Sequence, residues 1–241
     1  MTQGYEKIIY EKKERVAFIT INRPEVRNAC DPPAFMELAR ALTEFKDDDD
    51  AWVIIITGTG DKAFSAGADL SAVGGTLEAM GLNDRILWGV AKGLELWKPM
   101  IAAVNGLALG GGLEIALACD LRIAAEHATF GLPEVRWNFI PAGGGVVRLP
   151  RMMPMAKAME MILMATRINA EEALQYGLIN KVVPSDQLMP TAIEWANRIC
   201  EMGPLAVRSC KEIAIRSLNM SLEDALRLDE HFLCVLQCPS S

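Results

Sequence analysis

The run Asn105-Gly-Leu-Ala-Leu-Gly-Gly-Gly-Leu-Glu-Ile-Ala-Leu-Ala-Cys-Asp120 constrains this chain more than any other stretch. It opens on a turn at Asn105-Gly106, passes through the consecutive glycines Gly110 to Gly112, and continues as an apolar helical pattern in Leu113, Ile115, Ala116 and Leu117. Glycines in a row let a backbone approach another group with no Cβ in the way. A helix that starts there leaves its first N–H groups unpaired and puts the positive end of its dipole at the same point. The stretch therefore predicts a backbone donor site for an anion or a developing oxyanion, with the Glu114 carboxylate one turn away. On its own it fits equally well a turn kept for tight packing, followed by an ordinary acidic first turn. Two phosphate motifs are excluded: the glycines do not have G-x-G-x-x-G spacing, and no Gly-Lys-Ser/Thr follows them.

The chain has 241 residues, enough for one large core or a core with a smaller appendage. Hydrophobic residues make up 51% and charged residues 23%, a globular balance. Lys and Arg total 24 against 31 Asp and Glu, a formal charge of −7. That argues against a non-specific nucleic-acid or anionic-membrane surface, and leaves room for a local Arg/Lys cluster on a small polyanion. The N-terminal residues lack a signal-peptide core, and no window reaches 18 uncharged apolar residues, so a cytoplasmic protein with no membrane segment is expected. Six cysteines without a C-x-x-C pair read as thiols in a reducing cytosol. With only two histidines, His127 and His231, no metal site is expected, and carboxylates become the default proton carriers.

Residues 15–22 and 52–57 carry apolar side chains on both faces, the pattern of strands in a buried sheet. Residues 99–104 read as a third strand, and 120–124 and 128–131 as two short ones. A helix is predicted from Pro32, with Phe35, Leu38, Ala39, Leu42 and Phe45 at helical spacing and Asp31 as its N-cap. Asp47–Asp50 reads as a solvated loop. Residues 58–69 are small, polar and too irregular for either period: a loop after a buried strand, either functional or a mere connection. Residues 77–97 predict a helix despite Gly81, Gly89 and Gly93. Glu134 taken alone reads as a surface carboxylate after a proline, and Ile140–Gly145 as a flexible bend. Beyond Pro154 the pattern is helical at 154–165, 170–176, 186–202, 204–217 and 221–236, and the methionines from Met152 to Met164 read as deformable packing.

Four segments occur in order: Asn22-Arg-Pro-Glu-Val-Arg-Asn28, Ala63-Phe-Ser-Ala-Gly-Ala-Asp69, Gly110-Gly-Gly-Leu-Glu114, and Pro133-Glu134 followed by Ile140-Pro-Ala-Gly-Gly-Gly145. Together they closely resemble the enoyl-CoA hydratase/isomerase (crotonase) superfamily, over nearly the whole chain. The resemblance implies an α/β fold in which residues 1–184 form a spiral of strand–strand–helix turns, the acyl-CoA-binding catalytic core. Residues 185–241 would form a helical region that covers the site and builds a homotrimer or homohexamer. An acyl-CoA thioester is the implied substrate; CoA is part of it, and no separate cofactor is expected. Its thioester oxygen would sit between the backbone amides of Ala68 and Gly111, and Ala66 would offer its carbonyl to the adenine. Arg23, Arg27 and Lys62 are, by charge and position, the nearest basic candidates for the CoA phosphates, and Asp69 closes the same CoA-binding stretch. Glu114 and Glu134 stand where hydratases of this kind carry two glutamates. The implied reaction is addition of water across C2–C3 of a trans-2-enoyl-CoA.

The match departs from the family pattern at Trp137-Asn138-Phe139, where many relatives are smaller and contain Gly, and at Val146-Val147, which replace a polar pair. Trp137 and Phe139 are accordingly candidate acyl-pocket residues, and an acyl group other than a simple straight chain is in view. The competing readings are an enoyl-CoA isomerase, a carnitinyl-CoA-type dehydratase, and a non-catalytic relative acting as an RNA-binding or scaffold protein. The second glutamate favours hydration over isomerisation, and net acidity speaks against RNA.

Overall fold

Strands that are apolar on both faces need cover on both sides, and that requirement organises the chain. The computed structural model describes residues 4–69, 71 and 95–237. In chain order the elements begin with β1 (Ile8–Lys13), β2 (Val16–Ile21), α1 (Pro32–Asp47), β3 (Val53–Gly58), β4 (Ala63–Ser65), β5 (Met100–Val104) and β6 (Leu107–Leu109). Then come α2 (Gly111–Ala118), β7 (Leu121–Ala125), β8 (Thr129–Gly131), α3 (Gly145–Met152), α4 (Met155–Met164), β9 (Arg167–Asn169) and α5 (Ala170–Gln175). β10 (Lys181–Val183), α6 (Leu188–Cys200), α7 (Pro204–Ser217) and α8 (Leu222–Gln237) complete them.

One sheet has the order β1-β2-β3-β5-β7-β10, parallel except for the β1–β2 pair. The other has the order β4-β6-β8-β9, parallel except for β9. The consecutive pairs β3/β4, β5/β6 and β7/β8 each place one strand in each sheet. The result is a spiral of strand–strand turns, with α2 closing the second turn, as the family resemblance implies.

Alternate residues of the larger sheet fill two cores. Ile54, Ile56, Ala102 and Val104 join Leu38, Leu42 and Phe45 of α1 and Leu113 of α2. Val53, Ile55, Ile101 and Ile123 face Leu188, Ala192 and Ala196 of α6. Each fully buried branched side chain of this kind contributes about 1.5–3 kcal/mol. Asp31 caps α1 as expected, accepting from Ala34 N at 2.9 Å. The domain boundary read after residue 184 precedes α6, a helix that packs on the central sheet; α7 and α8, by contrast, pack chiefly on each other.

Several expectations need correction. β1 buries only Ile8 and Tyr10 and leaves Ile9 exposed, which hid it in the sequence. β4 and β6, three residues each, sit inside stretches read as loop and turn; elements so short show no period. The bend at 140–145 runs straight into α3, which tolerates Pro150 in its last turn. The Asp run is not simply solvated: Asp47 ends α1, Asp48 pairs with Lys12 at 2.6 Å, and the Asp48 carbonyl accepts from buried Lys98 at 2.7 Å. Of the helix expected at 77–97, residues 77–94 lie outside the described residues, and 95–97 are not helical.

Two buried asparagines hold the loops that lead to the site. Asn105 Nδ2 donates to the carbonyls of Gly58 (2.8 Å), Gly60 (2.7 Å) and Ala63 (3.2 Å), and its Oδ1 accepts from Gly58 N at 3.1 Å. Asn28, 1% exposed, donates to Thr59 O and Ala63 O and accepts from Arg23 N. Both side chains replace water for carbonyls that would otherwise be buried without a donor. Asn105→Ala should lower unfolding free energy by about 2–4 kcal/mol. Urea titration followed by circular dichroism measures this, and a loss under about 0.5 kcal/mol, the level of a neutral surface change, would contradict the hub role.

Candidate active site

Past β4 the chain runs beside Cys30 in a single parallel bridge to Ala68. Cys30 N donates to Gly67 O (2.8 Å) and Asp69 N donates to Cys30 O (2.9 Å). Both bonds use groups flanking Ala68, and among the described residues its own N–H has no acceptor. The start of α2 faces this segment. Its N-cap, Gly110, has φ 54° and ψ −126°, a conformation that a side chain would oppose. Gly112 packs its Cα against the Ser65 carbonyl so closely that no Cβ would fit. As the first residue of α2, Gly111 has no carbonyl within the helix for its N–H. A Cβ built on Gly67 would stand 3.1 Å from Gly111 N, and one built on Gly111 would stand 3.7 Å from Ala68 N. Two backbone amides from distant stretches of sequence are thus neighbours.

Glu114 is 2% exposed and projects from the first turn of α2. Its Oε1 accepts from Gly145 N at 2.7 Å, the first residue of α3. Glu134 opens a 3-10 turn, Glu134–Trp137, that follows β8 and is closed by Asn138 in the left-handed region. Its Oε1 lies 2.8 Å from where a Gly110 Cβ would stand. Its Oε2 is buried and has no hydrogen-bond partner among the described residues. Burial pushes the Glu134 carboxyl up to about 7; the charge of Glu114 adds to this, while its own backbone N–H pulls it down. Far from the surface carboxylate it suggests in isolation, Glu134 is an acid that holds its proton near neutral pH.

The other candidate residues fall into groups. Arg23 lies between Asp31 and Asp69, at 3.1 Å from each, and donates to Ala29 O, so its guanidinium is engaged in the frame. Asp69 also accepts from Ser71, which with Arg23 holds its carboxyl below the usual range despite burial. Arg27 and Lys62 are exposed. Ala66 is tied to Arg27 through its N–H, at 3.0 Å from Arg27 O, which places Arg27 at the edge of the same segment. Trp137 and Phe139 stand 51% and 38% exposed in the turn that follows Glu134.

A cavity of about 770 Å³ opens at the opposite, C-terminal end of α2, lined by Leu117, Asp120, Arg122, Arg148 and Lys211 among others. Glu114, Glu134, Ala68 and Gly111 are not among its lining residues. Residues that the sequence reading did not single out support this frame. Arg122 donates to Leu178 O and Cys119 O beyond the end of α2. Gly143 and Gly145 crowd Glu114: a Cβ on Gly143 would meet Glu114 Oε2 at 2.6 Å. A buried Arg in a strand and glycines opposite a buried Glu are signals visible only once the pairing is known. Among the described residues, no three His, Cys, Asp or Glu side chains gather to hold a metal ion, and no helix is long and apolar enough to cross a membrane.

The model of the enoyl-CoA hydratase/isomerase family matches residues 11–237. The chain is 42% identical over 231 residues to a crotonyl-CoA hydratase of Syntrophomonas wolfei, covering 94% of this chain and 88% of that one. It is 43% identical over 224 residues to a short-chain-enoyl-CoA hydratase of Clostridium acetobutylicum, covering 92% and 86%. The crystal structure of an enoyl-CoA hydratase from Bacillus anthracis superposes with a TM-score of 0.88 at 38% identity, over 95% of this chain and 90% of that chain. A spiral of paired strands, a glycine-led helix and similarity over almost the full length agree, and the chain belongs to the enoyl-CoA hydratase/isomerase family.

Proposed function

We propose that the protein hydrates a trans-2-enoyl-CoA, with Ala68 and Gly111 donating to the thioester oxygen and Glu114 and Glu134 moving the protons. The observation that carries this reading is the meeting of two uncommitted amides with two carboxyl groups in different environments around the start of α2. Glu114 takes a proton from water as the water oxygen bonds to C3. The C2–C3 π electrons pass toward the thioester, and the charge that develops on its oxygen is held by the two N–H groups. Glu134 then gives its proton to C2, re-forming the carbonyl and leaving a 3-hydroxyacyl-CoA. A proton passing from Glu114 to Glu134 restores both groups. Preorganised donors of this type are commonly worth about 10²–10³ in rate, and each acid–base group about 10²–10⁴.

CoA enters as part of the substrate, and the scheme uses no cofactor. Arg27 and Lys62, exposed beside the Ala66 segment, are the basic side chains best placed for its phosphates. Arg23 and Asp69 support that segment from beneath, since each already has its counter-charge. Trp137 and Phe139, next to Glu134 in sequence, are proposed to border the acyl group. The apolar side chains Leu205, Leu218, Leu222, Leu226 and Leu233 of α7, α8 and the turn between them are exposed in the single chain. An apolar surface of this extent supports burial between copies, and a homotrimer or a pair of trimers is the proposed assembly.

Glu114→Gln and Glu134→Gln should each cut hydration of crotonyl-CoA, followed at the enoyl absorbance, by about 10²–10⁴, with CoA affinity by calorimetry unchanged. Turnover close to wild type in both variants would refute the scheme. For Glu134 the folded pKa of about 7 lies above the ordinary carboxyl value of 4.5. Its protonated form therefore favours folding, and that contribution is lost as pH rises from 4.5 to 7. Glu134→Gln should accordingly be more stable than wild type above pH 7, by up to roughly 2–3 kcal/mol, and no different below pH 4.5; equal melting curves at pH 8 would contradict the assignment. Light scattering should give three or six times the 26.3 kDa chain mass, and Leu226→Asp with Leu233→Asp should reduce it.

A further inference from the structure

The segment that presents the Ala68 N–H is joined to the rest of the protein by little backbone bonding. Its parallel bridge to Cys30 is isolated, closed by Cys30 N donating to Gly67 O and Asp69 N donating to Cys30 O. One further bond, Ala66 N to Arg27 O at 3.0 Å, precedes it. So short a pairing orients a backbone weakly, because every residue it fixes loses conformational freedom for few bonds. Side chains supply the rest, and they converge on one guanidinium. Arg23 Nη2 lies 3.1 Å from Asp31 Oδ2 and 3.1 Å from Asp69 Oδ2, and its Nη1 donates to Ala29 O. Ala29 and Asp31 flank Cys30 in the chain, and Asp69 follows Ala68. Arg23 therefore staples both strands of the bridge.

The staple reaches the second amide as well. Asp31 caps α1 through Ala34 N, and Phe35 of that helix has its ring tip 3.5 Å from where a Gly111 Cβ would stand. The side chains of Arg23, Asp31 and Asp69 are only 12%, 14% and 12% exposed, so solvent screens them poorly. Two carboxylates that share one nitrogen also lie close to each other. Without Arg23 they would repel, and the Ala68 segment would be pushed away from the head of α1.

We propose that Arg23 is a positioning residue for the reaction: by bridging Asp31 and Asp69 it fixes the direction of the Ala68 N–H toward the thioester oxygen. The proposal rests on the hydratase reading for its effect on rate, and on the Arg23 contacts for its effect on Ala68. A cation in this stretch has two possible jobs, and they differ in what they change. A ligand of the CoA phosphates acts on binding; a staple behind an oxyanion donor acts on the transition state, where the oxygen carries most charge.

The test compares wild type, Arg23→Met, Asp69→Asn and the double variant in two measurements. One is hydration of crotonyl-CoA; the other is the infrared carbonyl stretch of bound butyryl-CoA, labelled with ¹³C at the thioester carbon, which has no double bond to hydrate. In wild type that band should fall in frequency on binding. Arg23→Met should lower kcat by about 10-fold or more, toward the roughly 10²–10³ of a lost oxyanion donor. KM should stay within about twofold, and the carbonyl shift should shrink. Adding Asp69→Asn to Arg23→Met removes the repulsion and should recover part of both kcat and the shift. A raised KM with unchanged kcat overturns the proposal and returns Arg23 to the phosphates; so does an unchanged carbonyl band in folded Arg23→Met, or a double variant no better than Arg23→Met. If Arg23→Met does not fold, Asp69→Asn alone should still reduce kcat and the shift, and wild-type values for both overturn the proposal. A wild type that shifts the carbonyl without hydrating crotonyl-CoA ends the hydratase reading and leaves Arg23 to be judged on the band. One that shows no shift ends both.

Discussion

Two backbone N–H groups from separate segments can meet only where no side chain stands between the segments. That steric condition underlies everything else in this protein. Gly112 lets α2 seat on the carbonyl of Ser65, and Gly110 turns the chain through a conformation that a Cβ would oppose, with the Glu134 carboxyl filling the space a Cβ would take. A methyl group at either place would push the helix start off the Ala68 segment or displace the acid. The spiral fold serves this contact: β4 and β6 are parallel neighbours in the smaller sheet, so the chain leaving β4 and the helix following β6 emerge at the same edge. The larger sheet supplies rigidity through two cores, and the asparagine hub carries that rigidity into the loops where no sheet bonds reach.

The helix that carries Gly111 and Glu114 is buried on every side, and such a helix has two ends to satisfy. At the N-terminal end Gly111 N–H has no carbonyl within the helix, and the proposed reaction uses it to hold the thioester oxygen. The C-terminal end is closed by Arg122, whose guanidinium takes the Cys119 carbonyl and complements the negative end of the dipole. Loss of that cap would leave several carbonyls buried without a donor, a heavier penalty than the loss of a surface pair. Lys211 anchors the same end through Asp120, which in turn accepts from Met100 N, so α7 is tied to the head of β5. The large cavity between these groups belongs to the anchoring end of the helix, and its size alone says nothing about where chemistry occurs.

Much of this was legible in the sequence because the relevant signals were local. Apolar side chains on both faces marked β2, β3 and β5; helical spacing and the Asp31 cap marked α1; and consecutive glycines marked the start of α2. What stayed hidden was short or long-range. β4, β6, β9 and β10 have three residues each and no period to read. Asn105 looks like a turn residue, and nothing local says that its amide serves three carbonyls from an earlier loop. Arg23 looked available for phosphate because a sequence shows charges but not their partners; folded, it is held between Asp31 and Asp69. Glu134 reads as a surface group until β8 and its 3-10 turn bring it under Gly110. In each case the missing information was the identity of the neighbour.

In the proposed reaction one residue type takes two roles without any change in covalent chemistry. Glu114 meets a backbone N–H and stands in the first turn of a helix, both of which favour the charged form. Glu134 has a buried oxygen with no donor among the described residues, so charge on it is expensive and its proton is retained to about pH 7. Exchange of the environments would exchange the roles, even with both glutamates still in place. A hydration needs one group ready to accept and one ready to donate at the same pH, and two identical, equally solvated carboxyls would offer that only in a minority of molecules. Asymmetry of surroundings, set by where the glycine loops and α3 press against each carboxyl, is therefore a more direct requirement for this chemistry than the presence of two acids.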